Sequence, residues 1–182
     1  MKTLSLSEVK MKLSQFVEEV NETDNPISIT RNGEAVAALI SQELFQGYLD
    51  TINIMRDIKF YQAVLTNMKL LERGEGISLT IDELFKERIK SDEKASSVRV
   101  KVLPDVRDKL IELHPEIQSK LYGFFQKIFD KDESGILLKD TLDGLAKFSA
   151  GEYGIIYRWR MRTIEIINVD LRTTAYRETV SV

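Results

Sequence analysis

The stretch Gly151–Arg177 constrains the fold more than any other, because its residues alternate with the period of two that is typical of a strand. Ile155–Met161 predicts one strand, Arg162-Thr163 a tight turn, and Ile164–Val169 a returning strand rich in β-branched residues. One predicted face is apolar and the other carries arginines, which is typical either of a solvated face or of a surface open to a polyanion. The predicted basic face carries Ile156, Arg158, Arg160 and Arg162.

Composition limits the classes of function. The 182 residues are 43% hydrophobic and 30% charged, as expected for one large or two small globular domains. The net charge of −3 means that any nucleic-acid surface must be a local patch. The chain has no cysteine and a single histidine, His114, so we predict no zinc site, no other metal and no cofactor. With no long apolar run and no signal-peptide core, we expect a cytoplasmic protein without a membrane partner.

The first 54 residues predict a small domain with the order β-α-β-β-α. Its first helix, capped by Ser5 or Ser7, is expected to run to about Glu22 with one apolar face. Arg31-Asn32-Gly33 predicts a hairpin turn between two short strands. A second helix is expected from Gln42 to about Asn53. A unit of this size buries little surface, so we predict that it dimerises.

Two segments of this domain, KTLSLSEVKMKLSQFVEEV and PISITRNGEAVAALISQELF, resemble the Phd/YefM antitoxins of bacterial toxin–antitoxin modules. The resemblance implies a homodimer that binds operator DNA and represses its own operon. It implies operator contacts from Lys10 and Arg31, and Lys2, Lys12 and Asn32 lie close to them in sequence. A dimer would present two copies of this basic patch to a palindromic site.

Residues 55–90 predict a helix over Met55–Leu71, a strand over Ile77–Leu79 and a short helix that Thr80 and Glu83 cap. In the resembled family this region wraps the toxin as a helix laid into a groove. The alternative is that it packs back onto its own domain. The predicted toxin-neutralising contacts are Leu79, Ile81, Leu84, Phe85 and Ile89.

Residues 91–97 predict a charged, flexible linker, and residues 98–182 predict an α+β domain with the order β-α-α-β-β-β and an antiparallel sheet. This domain resembles the RelE/ParE toxin superfamily. RelE-type toxins cut messenger RNA on the ribosome, whereas ParE-type toxins inhibit DNA gyrase, and both targets stay open. The segments that carry the resemblance are Leu142–Leu145, Gly151–Tyr153, Ile156-Tyr157, Val169–Arg172 and Tyr176.

Cleavage of RNA without a metal requires a base for the 2′-hydroxyl, cations for the charge on phosphorus and an acid for the leaving oxygen. The resemblance assigns these roles to Arg172, Tyr176 and Lys147, with Arg158 as a further cation. Many members of the superfamily carry an arginine where this chain has Gly154, and Ser149 stands at a position that is often basic. The loss of one preorganised cation lowers the rate of such a reaction by ~10²–10³.

Three hypotheses follow. In the first, the chain is a fused antitoxin and mRNA interferase that is silent in cis and still binds DNA. In the second, the toxin half is degenerate or directed at gyrase, and the arginine face serves another partner. In the third, the chain is a dimeric repressor whose second domain is structural or co-repressing. Because a short linker gives an effective concentration in the ~mM range, we expect residues 55–90 to lie on residues 98–182 of the same chain or of a dimer partner. The expected partners are operator DNA and, for a released toxin half, mRNA and the ribosome.

Overall fold

The computed structural model describes residues 1–85, 98–130 and 135–171. The chain forms two compact units, Met1–Leu49 and Asp50–Val182, and each combines helices with a sheet, so the fold is α+β. The boundary between the two units lies before Asp50, whereas the sequence predicted that the first domain ends at residue 54. The predicted linker at 91–97, the predicted contact Ile89 and the predicted catalytic residues Arg172 and Tyr176 lie outside the described residues.

The first unit is built on a three-stranded sheet. Strands β1 (Lys2–Ser5) and β2 (Ile27–Arg31) are parallel, and β2 forms an antiparallel hairpin with β3 (Glu34–Leu39). Asn32 and Gly33 form its turn with positive φ values of 54° and 84°, which these two residues adopt readily. The small core of this unit consists of Val9, Phe16, Val20 and Ile27, with Leu4, Ile29 and Leu39 packed against it.

The predicted first helix is in fact two helices, α1 (Leu6–Met11) and α2 (Leu13–Thr23). Ser5 caps α1, since its side chain accepts a hydrogen bond from the Glu8 amide while the Glu8 carboxylate accepts one from the Ser5 amide. At Lys12 the backbone leaves the helical conformation, with φ at −130°. This break turns α2, so that part of the predicted apolar face of the helix is exposed. The exposed members of that face are Leu13 and Val17.

Two longer helices follow, α3 (Gln42–Arg56) and α4 (Ile58–Glu72). They are separated at Asp57, whose carboxylate caps α4 by accepting a hydrogen bond of 3.0 Å from the Phe60 amide. Helix α3 ends at Arg56, three residues after the end at about Asn53 that the sequence predicted. Helix α3 crosses the boundary between the units, and from Asp50 onward it belongs to the second unit.

The second unit contains a six-stranded sheet with the order β4-β5-β9-β8-β7-β6. The sequence predicted an antiparallel sheet, but this sheet is mixed, because β5 and β9 run parallel. The connection between these two strands is long enough to contain two helices and three strands. The strands are β4 (Ile77–Thr80), β5 (Arg99–Val102), β6 (Ile136–Leu137), β7 (Ala146–Ala150), β8 (Tyr153–Arg160) and β9 (Thr163–Leu171). The helices that join α4 in this unit are α5 (Ile81–Leu84), α6 (Pro104–Glu112) and α7 (Pro115–Asp130).

Both faces of this sheet are covered, although the arginine pattern taken alone was compatible with one open face. On one face Phe124 of α7 stacks on Phe148, with ring centroids 3.5 Å apart, and meets the edge of Tyr157. On the other face Asn67 of α4 donates a hydrogen bond of 2.9 Å to the backbone carbonyl of Ile167. Helix α4, which belongs to the segment 55–90, therefore packs on this face, in agreement with the expectation that this segment lies on residues 98–182.

The turn of the β8–β9 hairpin also differs from the prediction. It consists of Met161 and Arg162, both with positive φ (49° and 60°), and Arg160 pairs with Thr163 across it. The predicted turn was Arg162-Thr163. The actual turn is one residue earlier, and it uses residue types that rarely adopt this conformation.

Candidate functional site

Lys147 lies in the middle of β7 and points into the protein rather than toward solvent. Its side chain is 8% exposed, and its Nζ donates a hydrogen bond of 3.0 Å to Oδ1 of Asp50, whose side chain is 2% exposed. A buried lysine needs such a partner, since an unpaired charge in the interior is strongly unfavourable. The Asp50 carboxylate of α3 therefore binds the Lys147 amine, to which the toxin resemblance assigns a catalytic role.

Arg158 of β8 is held between two carboxylates. Its Nε donates to Glu165 of β9 at 2.5 Å, and its Nη1 donates to Glu72 at the end of α4 at 3.0 Å. Burial lowers the pKa of Arg158, but the hydrogen bonds and charges of Glu165 and Glu72 outweigh this effect and raise the pKa above its ordinary value. Arg158 is thus a permanent cation that is 12% exposed and already neutralised.

A third cation completes this set. Lys101 of β5 donates a hydrogen bond of 2.7 Å to the backbone carbonyl of Leu71, at the end of α4. Lys101, Glu165 and Arg158 are register partners across three adjacent strands, so they lie in one row on the same face of the sheet. We call the polar surface formed by Lys101, Lys147, Arg158 and Glu165 the covered face, since α3 and α4 supply a partner to each of its cations.

Two positions on β7 and β8 leave the covered face short of positive charge. Ser149 and Gly154 are paired across the strands, and a Cβ built at Gly154 would lie 3.4 Å from Cε of Lys147. An arginine at that position would therefore be next to Lys147. The structure brings Lys147 and Arg158 onto neighbouring strands, while Arg172 and Tyr176 lie outside the described residues.

The predicted neutralising residues lie in the interior of the second unit. Ile81, Leu84 and Phe85 are fully buried in the same core as Val98 and Val100, and Leu79 packs against that core. Strand β4 forms the edge of the sheet beside β5, and the Ile81 amide donates to the Val98 carbonyl at 3.1 Å. Residues 77–85 therefore pack on residues 98–169 of the same chain.

Asp50, Asn67 and Glu72 are polar contacts that sequence reasoning missed. One signal was available for Asp50, which lies four residues before the buried Ile54 on the same helix. That spacing places a carboxylate on the inward stripe of the helix, where an acid requires a buried partner. Asn67 and Glu72 carried no comparable signal.

The predicted DNA contacts lie in the first unit. The pairing of Ser5 with Thr30 places the start of α1 beside the Arg31-Asn32 turn, and Lys10, Lys12, Arg31 and Asn32 are all exposed. Among the described residues, neither Lys10 nor Arg31 has a carboxylate partner. Lys2 lies at the opposite end of β1, where its Nζ is 2.8 Å from a carboxylate oxygen of Glu19.

Within the ranges that the structure describes, no group of acidic, histidine or cysteine side chains could hold a metal ion. No helix in those ranges is both long enough and apolar enough to cross a bilayer.

Known proteins are similar to this chain over the region that contains α1 to α4. Residues 1–74 match the family model of the Phd_YefM antitoxins of type II toxin–antitoxin systems. The chain is 31% identical over 78 residues to the antitoxin RelB of Mycobacterium tuberculosis, a match that covers 43% of this chain and 88% of that protein. The chain belongs to the Phd/YefM antitoxin family. Residues 1–74 are thus an antitoxin region that supplies Asp50 and Glu72 to the cations of the covered face.

Two further proteins match the same region. The antitoxin YefM of Streptomyces coelicolor is 31% identical over 74 residues, which is 40% of this chain and 83% of that protein. A chain of the crystal structure of the toxin–antitoxin complex RelBE2 from Mycobacterium tuberculosis is 26% identical, with a TM-score of 0.38, over 41% of this chain and 80% of that chain. The match to the family model ends at residue 74, before β4.

Proposed function

We propose that this chain is a type II antitoxin fused to its own RelE-like toxin domain, and that the antitoxin region keeps the toxin domain inactive within the same chain. The observation that carries the proposal is the pair of carboxylates, Asp50 and Glu72, that bind Lys147 and Arg158. Both acids lie in the region that matches the antitoxin family, and both cations lie in the region that resembles the toxins.

The chemistry of the covered face supports inhibition. An RNA-cleaving site needs free cations to receive phosphate oxygens, and a carboxylate competes for the same donors. Asp50 and Glu72 place a negative charge on Lys147 and on Arg158, and α4 lies over the strands between them. RNA would therefore have to displace two ion pairs and a helix before it could reach these groups.

The proposal includes operator binding by a homodimer. The first unit leaves large apolar side chains in solvent on α1, α2 and β3, among them Met11, Leu13, Val17 and Val36. Every residue of β3 before Leu39 is exposed, so this edge strand has an uncovered surface that a second copy could bury. Lys10 and Arg31 remain accessible to the phosphates of DNA.

Gly154 favours a second candidate. Without a cation beside Lys147, the second unit would cleave RNA slowly or not at all, and the chain would act mainly as a DNA-binding repressor. The two candidates make different predictions about the covered face once its carboxylates are neutralised.

The test uses the full chain with Asp50→Asn and Glu72→Gln, which remove both negative charges and keep the side-chain shapes. A protease site inserted at residues 91–97 allows the connection between the antitoxin region and residues 98–182 to be cut after purification, while the buried contacts of Ile81, Leu84 and Phe85 hold the two parts together. We expect the cut double variant to cleave mRNA on purified ribosomes, and Lys147→Met in the same chain to abolish this cleavage.

The matched control is Asp82→Asn with the same cut. Asp82 accepts a hydrogen bond of 2.7 Å from the Tyr122 hydroxyl in the second unit, whereas the acids bound to Lys147 and Arg158 are Asp50, Glu72 and Glu165. This control should remain inactive. A folded, cut double variant that leaves mRNA intact would support the repressor candidate instead.

A further inference from the structure

The tip of the β8–β9 hairpin carries arginine and aromatic side chains that α4 does not cover. Along β8, the Arg158 side chain is 12% exposed, whereas Arg160, two residues further on, lies open to solvent. Trp159 is 41% exposed and Met161 is 86% exposed. The basic pattern of this stretch is thus split into a covered half and an open tip.

The sheet register extends the open half beyond the hairpin. Thr163 pairs with Arg160 on one side and with Arg99 of β5 on the other, so the two arginines lie in one row across three strands, about 10 Å apart. Arg162 adds a third exposed cation at the turn. Within residues 1–85, 98–130 and 135–171, none of these three arginines has a carboxylate partner.

The aromatic side chains at the tip are held in place. Phe129 of α7 meets Trp159 edge to face at 6.0 Å and 69°, and the guanidinium of Arg162 lies 5.7 Å from the centre of the Phe129 ring. The indole is thereby fixed on one side and accessible on the other. A fixed, half-exposed indole beside the Arg162 guanidinium can stack on an unpaired base.

The conformation of the turn argues that these side chains have a role. The β2–β3 hairpin fills the same kind of two-residue turn with Asn32 and Gly33, whereas the β8–β9 hairpin uses Met161 and Arg162. Left-handed backbone is unfavourable for both of these residues, and strain of this kind is concentrated at functional sites. The tip thus keeps a long apolar and a basic side chain where asparagine and glycine would fold better.

We propose that the tip surface, formed by Arg99, Trp159, Arg160, Met161 and Arg162, binds single-stranded RNA in the intact, inhibited chain. The cations would hold the phosphates, and Trp159 would stack on a base, which a single strand exposes and a duplex conceals. The choice of RNA over DNA rests on the proposed function of the second unit. Binding would bring the chain to its target before any inhibition is relieved.

The test titrates the full chain at low salt with a uridine oligomer of about 12 nucleotides, within the usual site size for single strands. Trp159 is the only tryptophan of the chain, so its fluorescence reports on the tip alone. We expect RNA to quench this fluorescence. We expect Arg160→Gln with Arg162→Gln to weaken binding about tenfold and to lower the slope of log affinity against log salt by about 1.4.

The matched control is Lys109→Gln with Lys120→Gln, which removes two exposed cations from α6 and α7 and should leave binding unchanged. A second variant, Met161→Asn with Arg162→Gly, should raise the melting temperature and still weaken RNA binding, because it relieves the turn and removes the contacts. A variant that is more stable yet binds less cannot owe its loss to misfolding.

Several outcomes would overturn the proposal. They are unchanged RNA affinity in the arginine variant, unchanged Trp159 fluorescence on addition of RNA, and equal quenching by the DNA oligomer of the same length or by anionic lipid vesicles. None of these bears on whether the cut Asp50 and Glu72 variant cleaves mRNA, so the two proposals fail separately.

Discussion

Asp50 and Lys147 carry opposite charges inside the second unit, with 3.0 Å between their nitrogen and oxygen atoms. Taking two charges out of water is unfavourable, and their attraction offsets that loss only while both are present. Such a pair makes the position of α3 on β7 specific, because a displaced helix would leave a buried charge without its partner. The pair of Asp50 and Lys147 therefore fixes the position of α3 on β7 rather than adding stability.

We predict that Asp50→Ala lowers the free energy of unfolding of the second unit by about 3–5 kcal/mol, since it leaves the Lys147 ammonium buried and unpaired. The double change of Asp50→Leu with Lys147→Met should lose much less, because no charge remains. Urea denaturation at pH 7 measures both. The exposed pair of Lys2 and Glu19 serves as the control, and its removal should change stability by less than about 1 kcal/mol. Equal losses for the single and double variants would contradict this account.

At the scale of elements, the capping box of α1 makes the start of this helix sensitive to acid. The side-chain and backbone hydrogen bonds of Ser5 lower the pKa of Glu8, more than its slight desolvation raises it. A carboxyl group whose pKa is lower in the folded than in the unfolded protein stabilises the fold. This stabilisation is complete at pH values above the unfolded pKa and is lost as the pH falls through the folded pKa. Helix α1 should therefore loosen below about pH 4.5.

The corresponding prediction concerns Glu8→Gln. Between pH 7 and pH 3 the variant should lose less stability than the unchanged chain, because its glutamine has no proton to gain. Circular dichroism during thermal unfolding at several pH values measures the difference. Identical pH profiles for the Glu8 variant and the unchanged chain would refute the role of the capping box.

Elements with a local chemical signal were predictable from the sequence. The β2–β3 hairpin follows from Asn32-Gly33, and the short helix α5 follows from Thr80 and Glu83, whose capping box is present. The break at Lys12 and the turn at Met161 lacked such a signal, because no glycine, proline or asparagine marks them. Where tertiary packing overrides local preference, sequence reasoning misplaces the element by a residue or joins two elements into one.

At the scale of the molecule, the periodicity of both halves predicted the α+β class and most elements, but it could not predict which side chains pair with the cations of the covered face. The contacts that decide this question join Asp50 to Lys147 and Glu72 to Arg158, across 97 and 86 residues. A pattern read within a window of about 18 residues contains no information on such pairs. Sequence reasoning therefore placed Lys147 and Arg158 on strands, but it missed their carboxylate partners.

The proposed dimer gives a whole-molecule prediction. Val36, in the middle of β3, is 55% exposed, and Val36→Glu should shift the chain to monomers by placing a charge in the proposed interface. Because a monomer contacts only half of a palindrome, its operator affinity should fall at least tenfold. Sedimentation and DNA-binding titrations measure the two effects.

Lys10→Ala with Arg31→Ala should weaken operator binding and leave the dimer intact, whereas Lys109→Ala, in the second unit, should change neither. If Val36→Glu dimerises normally, β3 is not the interface. If the Lys10 and Arg31 variant binds operator DNA with full affinity, the assignment of these DNA contacts is wrong.

The place of β4 at the edge of the six-stranded sheet has a consequence for the life of the second unit in a cell. Its pairing from Ile77 to Thr80 covers the backbone of β5, which would otherwise be an open edge. A domain that lost residues 50–85 would expose that edge together with the apolar surface under α4 and α5. Such a fragment should aggregate or be degraded quickly, so that any release of the domain would be brief and would limit itself.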